Sequence, residues 1–195
     1  MTVRFAAILV ATVVATAQAF AEPAGNAPHC GIGASIELSG DRARARDRVG
    51  VIRVRGNGLS ARVAAEWRLG RFCLGGSVFA RATSGLIRVG DGLESPLDDA
   101  ALLQVGGAVG GSFEWSPRWW VRADIGPMWL VYVSPRVVSF ATGAGISAEV
   151  SRDLAQVGRW AFGVAGRIDT AVVPDGDQTW WIGSFGIAGA VRRNW

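Results

Sequence analysis

Histidine occurs once in this chain, at position 29, and that narrows the chemistry open to it. Ser77, Ser112 and Ser147 carry hydroxyls, but a serine becomes a nucleophile only beside a base. His29 precedes every strand assigned below, so no histidine is placed to activate them. Glu114 and Glu149 could divide acid and base roles, yet each has arginines as partners that favour fixed ion pairs over proton transfer. The stretch "PDGDQ" at 174–178 shares its spaced carboxylates with a calcium loop but lacks the full ligand pattern, and is read as a solvated turn. No catalytic residue, metal ligand or cofactor site is assigned.

Binding chemistry is more promising in "GDRARARDRVGVIRVRG", residues 40–56. Arg42, Arg44, Arg46, Arg48, Arg53 and Arg55 would project on a first loop or an extended hairpin, where guanidinium forks can clamp phosphates. The competing reading is a solvated loop whose charge is balanced by Asp91, Glu94, Asp98 and Asp99 on a second loop. Cys30 and Cys73 are the two cysteines, and a bridge between them would tie the amino-terminal tail to a strand.

The elements that hold these residues follow from charge and hydropathy patterning. The opening "MTVRFAAILVATVVATAQAFA" has Arg4, an apolar run and small-x-small endings, the pattern of a secretory signal cut after Ala21; a retained anchor is the alternative. Its removal deletes only Arg4 among the charges and leaves a mildly basic chain, which argues against a nucleic-acid partner. Residues 22–30 form a tail, and 31–195 one domain. The longest stretches there without Asp, Glu or Arg are Ala100–Phe113 and Gln178–Val191, too short and too rich in glycine for a membrane helix. Alternation of period two fits them instead.

Eight strands are expected, near 31–39, 60–69, 72–82, 101–115, 118–132, 137–150, 159–172 and 180–193. Connections such as 40–59 and 84–100 are longer than those at 70–71 and 116–118, and about eight residues near 151–158 form another turn. In "ARVAAEWRLGRFC", Arg62, Glu66 and Arg68 share one parity while Val63, Ala65, Trp67 and Leu69 share the other. Across the strands one face collects Glu37, Arg62, Glu66, Arg68, Arg81, Glu114, Arg122, Asp124, Glu149, Arg167, Asp169 and Arg192, six of each sign; the other carries only Arg193. Equal numbers suggest charges paired in a confined bore.

Trp67, Phe72, Trp115, Trp119, Trp160 and Trp195 fall beside the tight turns or the carboxyl terminus, and Trp129, Phe140 and Trp181 toward the opposite ends. Two aromatic girdles around an aliphatic band are what rings at lipid headgroups produce, so the apolar face is assigned to the outside.

On this architecture and on the last strand, "WWIGSFGIAGAVRRNW", the chain resembles the small eight-stranded outer-membrane barrels of Gram-negative bacteria, of the OmpA/OmpX type. The resemblance implies an antiparallel up-and-down transmembrane β-barrel. It also implies a final strand, here Phe185, Ile187, Val191 and Trp195, read by the barrel-assembly machinery; Arg193 departs from that pattern. Barrel enzymes of similar architecture use a histidine-dependent site that has no match here. The expected partners are outer-membrane lipid and lipopolysaccharide, and a monomer is the expected state. The leading expectation is a structural or surface-interaction role; the alternatives are a narrow channel and a soluble lipocalin-like binding barrel.

Overall fold

Side chains that alternate between lipid and a narrow bore require strands whose backbone groups are all paired, because an open edge has no partner in hydrocarbon. The structure, a computed structural model, describes residues 29–46, 51–69, 72–89, 100–116, 118–133 and 138–193. They form β1 (His29–Arg46), β2 (Val51–Leu69), β3 (Phe72–Val89), β4 (Ala100–Ser116), β5 (Trp119–Val133), β6 (Val138–Val157), β7 (Trp160–Asp175) and β8 (Gln178–Arg193). Each strand pairs antiparallel with its sequence neighbours, and β1 pairs with β8 to close the barrel. The expected signal segment 1–21 and most of the tail lie outside the described residues, and β1 begins at His29, two residues before the expected start.

The strands run further than alternation alone indicated. Of residues 40–59, expected as a long connection, 40–46 continue β1 and 51–59 continue β2, paired from Gly40↔Asn57 up to Arg46↔Val51. Likewise β3 continues to Val89 and β6 to Val157, leaving a two-residue turn at Gly158-Arg159 where eight residues were expected. Gly158 adopts φ 59 there, which suits a residue without a Cβ. The contrast between long and short connections is therefore weaker than expected. "PDGDQ" closes the β7–β8 hairpin through a turn at Gly176-Asp177.

Parity decides what faces outward. Ile36, Leu38, Val78, Val109, Ile125, Ile146, Val164, Ile168 and Ile187 are all exposed on the outer wall. Glu37, Arg62, Glu66, Arg81, Arg122, Asp124 and Arg167 are all buried in the bore. The assignment of greasy residues to the outside therefore holds over the middle of the barrel. It inverts at the end distal to the chain termini. On β1 the outward row changes from Ile36 and Leu38 to Arg42 and Arg44, while the inward row changes from Glu37, Ser39 and Asp41 to Ala43 and Ala45. On β2, Leu59 gives way to Arg55 and Arg53 outside, with Val54 inside. At that end β1 and β2 are built like strands of a water-soluble barrel, whereas Val133, Val138 and Phe140 keep the outer wall of β5 and β6 apolar.

A charge on the outer wall at mid-strand should cost about 2–4 kcal/mol, and less on the bore face. Val109→Arg and Val164→Arg should each lower the unfolding free energy of the vesicle-embedded barrel by that amount. Ala108→Arg, of the opposite parity, should lower it less; equal losses at all three would contradict the outward assignment.

Candidate functional site

Deep in the bore, two ion-pair clusters lie one above the other. In the cluster nearer the loop end, Arg81 from β3 reaches Glu37 on β1 at 2.9 Å and Asp169 on β7 at 2.5 Å, and also donates to Ser184 on β8. Arg167 holds Asp169 at 2.7 Å and lies 3.8 Å from Glu37, whose other neighbour is the Ser60 hydroxyl. Asp41 joins at 4.0 Å from Arg81 and accepts from Thr83. In the lower cluster Arg62 pairs with Asp124, donates to Ser77 at 2.7 Å and lies 3.8 Å from Glu149. Arg122 binds Glu66, and its Nε donates to Asp124 at 2.8 Å. Arg167–Asp169 and Arg122–Asp124 join alternate residues of one strand, and the other pairs cross between strands, because residues of inward parity converge there.

Room for these carboxylates comes from missing side chains. A Cβ on Gly186 would collide with Glu37, one on Gly58 with Asp41, and one on Gly110 with Asp124 and the backbone of β5. Below the clusters Arg192 pairs with Asp153 at 2.5 Å and stacks 4.4 Å from the centre of the inward Trp120 ring. Above them the bore is apolar: Leu102, Met128, Leu130, Ala171, Val173, Trp180 and Ile182 form a buried plug with Ala43, Ala45 and Val54. Tyr132 lies 5.8 Å from Trp180, and Phe79 lies 6.0 Å from the Arg167 guanidinium, joining plug to charges.

Ten of the twelve expected bore charges lie in these layers, and two are displaced to the rim. Arg68 pairs with Glu114 at 3.3 Å beside the tight turns, with the Arg68 side chain 51% exposed. Asp41 and Asp153 join the bore face beyond the expected strand ends, so seven carboxylates face five arginines in these layers and the expected equality does not hold. Asp41 shares parity with Glu37, and Asp153 with Glu149; both were lost because β1 and β6 were ended too early. The apolar plug and the inward Trp120 and Trp180 were also missed, since the bore was read as polar throughout.

The girdle residues Trp67, Phe72, Trp115, Trp119, Trp129, Phe140, Trp160 and Trp181 are all exposed on the outer wall. Trp195 lies outside the described residues. Arg193, the one charge that alternation placed on the apolar parity, sits 5.7 Å from the Trp160 ring centre, and Arg152 lies 5.2 Å from that of Trp119, so turn-end guanidinia lie over interfacial rings. Cys73 is buried and disulfide-bonded. The side chains of Cys30 and His29 lie outside the described residues, as do those of Arg46 and Arg48. Arg42, Arg44, Arg53 and Arg55 all project from the outer wall of the β1–β2 hairpin.

A closed eight-stranded antiparallel barrel with an aliphatic belt, aromatic girdles and a charged bore is an integral β-barrel protein of the outer-membrane type. No known family matches the sequence, and no curated protein does. Among solved structures the chain is similar to Neisserial surface protein A, at 14% identity over 83% of this chain and 97% of that one, with a TM-score of 0.49. It is also similar to Ail, the attachment invasion locus protein of Yersinia pestis, at 11% identity over 81% and 97% with a TM-score of 0.41. The outer membrane protease OmpT of Escherichia coli matches at 8% identity over 85% and 97%, with a TM-score of 0.42.

A buried pair broken from one side leaves the other charge stranded, at a cost of about 3–5 kcal/mol, whereas an exposed pair contributes about 0–1 kcal/mol. Arg122→Ala, which strands Glu66 and leaves Asp124 to Arg62 alone, should therefore fall in the first range in urea unfolding from vesicles. Arg68→Ala should fall in the second.

Proposed function

We propose that this is a non-conducting, non-catalytic barrel of the bacterial outer membrane with a structural or surface-interaction role, its bore held by the Arg/Asp/Glu network. The observation that carries the reading is the stacking of an apolar plug on two ion-pair layers. Leu130, Val173 and Trp180 are 2, 0 and 3% exposed, which supports a dry level in the bore that an ion would not cross. The two cavities within the charged region are small, about 90 Å³ beside Arg62, Glu66 and Arg122 and about 30 Å³ beside Arg81 and Asp169. They suit a few waters rather than a solute. A selective filter needs unneutralised charge along a path, and here each guanidinium is committed to carboxylates across the bore.

The same commitments support the absence of catalysis. Glu114 and Glu149 face Arg68 and Arg62, at 3.3 and 3.8 Å, which suits structural pairing rather than proton transfer. Assembly through the last strand is part of the proposal: Phe185 and Ile187 present an exposed apolar row on β8. A monomer is proposed, and the disulfide is proposed to join Cys73 to Cys30.

The test is conductance. Purified protein that shifts in mobility between unboiled and boiled gel samples, and so is folded, should give no unitary current steps in planar bilayers. Reproducible steps from such protein would favour the narrow-channel alternative.

A further inference from the structure

The outer wall of the β1–β2 hairpin presents an arrangement that the described residues do not neutralise. Arg42 lies directly opposite Arg55 and Arg44 opposite Arg53, and all four are exposed. Like charges directly opposite on one sheet face destabilise it. Among the described residues none of the four has an ion pair or hydrogen bond; the acids expected to balance them, Asp91, Glu94, Asp98 and Asp99, lie outside those residues. Arginines in the bore, by contrast, are each paired with carboxylates.

Height on the barrel identifies the missing counter-charge. Leu38 and Phe185, 71 and 59% exposed, mark the top of the aliphatic belt, and Gly40 pairs with Phe185 one step above Leu38. The next outward pairs are Arg42↔Gly183 and Arg44↔Trp181, so the arginines begin two residues above that level, a rise of about 7 Å at most along the strand. Trp181 is exposed on the same wall, where an indole settles among headgroups. The four arginines, Thr170, Gly183 and Trp181 line one shallow groove of about 570 Å³. A Cβ on Gly183 would meet nothing within 4 Å, so the groove is open at that position.

We propose that this arginine ladder is a binding site for the phosphates of the phosphorylated glycolipid in the outer leaflet. Opposed arginines stand about 5 Å apart at Cβ, close enough for two planar forks to share one phosphate group, and acyl chains below would lie along Leu38, Leu59 and Phe185. Lipid so held removes the repulsion between the paired arginines and seats the hairpin on the membrane surface. The proposal rests on the membrane reading above.

The experiment uses the full chain folded in detergent micelles, with lipopolysaccharide, chemically dephosphorylated lipopolysaccharide and inorganic pyrophosphate as probes. Near-surface arginines each contribute roughly fivefold to such binding, so Arg42→Gln or Arg55→Gln should weaken lipopolysaccharide binding by about that factor, and the fourfold variant by roughly six-hundredfold where the four contributions multiply. Arg152→Gln, at the turn end, should leave it unchanged. Dephosphorylated lipopolysaccharide should bind the native protein as poorly as lipopolysaccharide binds the fourfold variant, and pyrophosphate far more weakly than lipopolysaccharide. Equal binding by native and fourfold variant overturns the proposal, as does pyrophosphate binding as tight as that of the lipid. Vesicle flotation and the boiled-against-unboiled gel shift are run on both proteins. Loss of flotation by native protein would refute the membrane reading instead.

Discussion

An arginine that points into the bore of an eight-stranded barrel has bulk water out of reach and hydrocarbon behind the wall, so its charge must be met from across the bore. Arg81 meets Glu37 on β1 and Asp169 on β7; Arg122 meets Glu66 on β2. Burying such pairs is not by itself a source of stability, because desolvation offsets much of the attraction. What they supply is register. Sliding β3 by one residue against its neighbours would turn Arg81 into lipid and leave Glu37 and Asp169 with one guanidinium fewer. The network therefore discriminates sharply against mispaired barrels whose backbone hydrogen bonds would be nearly as complete.

That constraint acts only where hydrocarbon surrounds the wall. Further along the same strands the environment outside is headgroup and water, and the sequence exchanges its two rows without breaking parity. Gly40 and Asp41 mark the exchange on β1, and the residues between Leu59 and Arg55 mark it on β2. Inside, Ala43, Val54, Leu130 and Trp180 make an ordinary apolar core; outside, arginines face polar surroundings. The hairpin beyond the membrane is thus held by burial and the segment within it by charge pairing, in one uninterrupted sheet. The plug also shields the upper ion-pair cluster from water on that side, which strengthens its Coulomb interactions.

The middle of this barrel was legible because period-two alternation is strongest where one face meets lipid and the other meets charge, as in Arg62 to Leu69. The extensions were not, for a physical reason: where Arg42, Arg44, Arg53 and Arg55 face outward and small alanines face inward, the alternation persists but its hydropathy changes sign. Read as polarity, that stretch looks like a loop. Asp41 and Asp153 were lost with the strand ends, and with them the true charge ratio. Trp120 and Trp180 each stand in a Trp-Trp pair, where one ring must face in and the other out, and adjacency alone does not say that the inward ring caps the bore. Arg68 was misplaced because parity gives the face of a residue and not its height; Arg68 shares a face with Arg62 but stands at the rim.

The unusual composition follows from filling a narrow cylinder with ions. A carboxylate pointing inward needs space that a neighbouring side chain would occupy, and Gly186, Gly58 and Gly110 vacate it for Glu37, Asp41 and Asp124. Glycine weakens a strand in isolation, but in a closed barrel each backbone group is held by two neighbours, so the loss is spread over the sheet. The absence of lysine among the 20 basic residues has a related cause in the bore. One guanidinium there serves Glu37, Asp169 and Ser184 at once, through a planar fork with several donors. An ammonium carries its donors on one strongly hydrated nitrogen, and so lacks the spread by which Arg81 reaches Ser184 from one nitrogen and Glu37 and Asp169 from the other. Arginine for reach and glycine for room are two halves of one packing solution, and neither would be tolerated in this bore without the other.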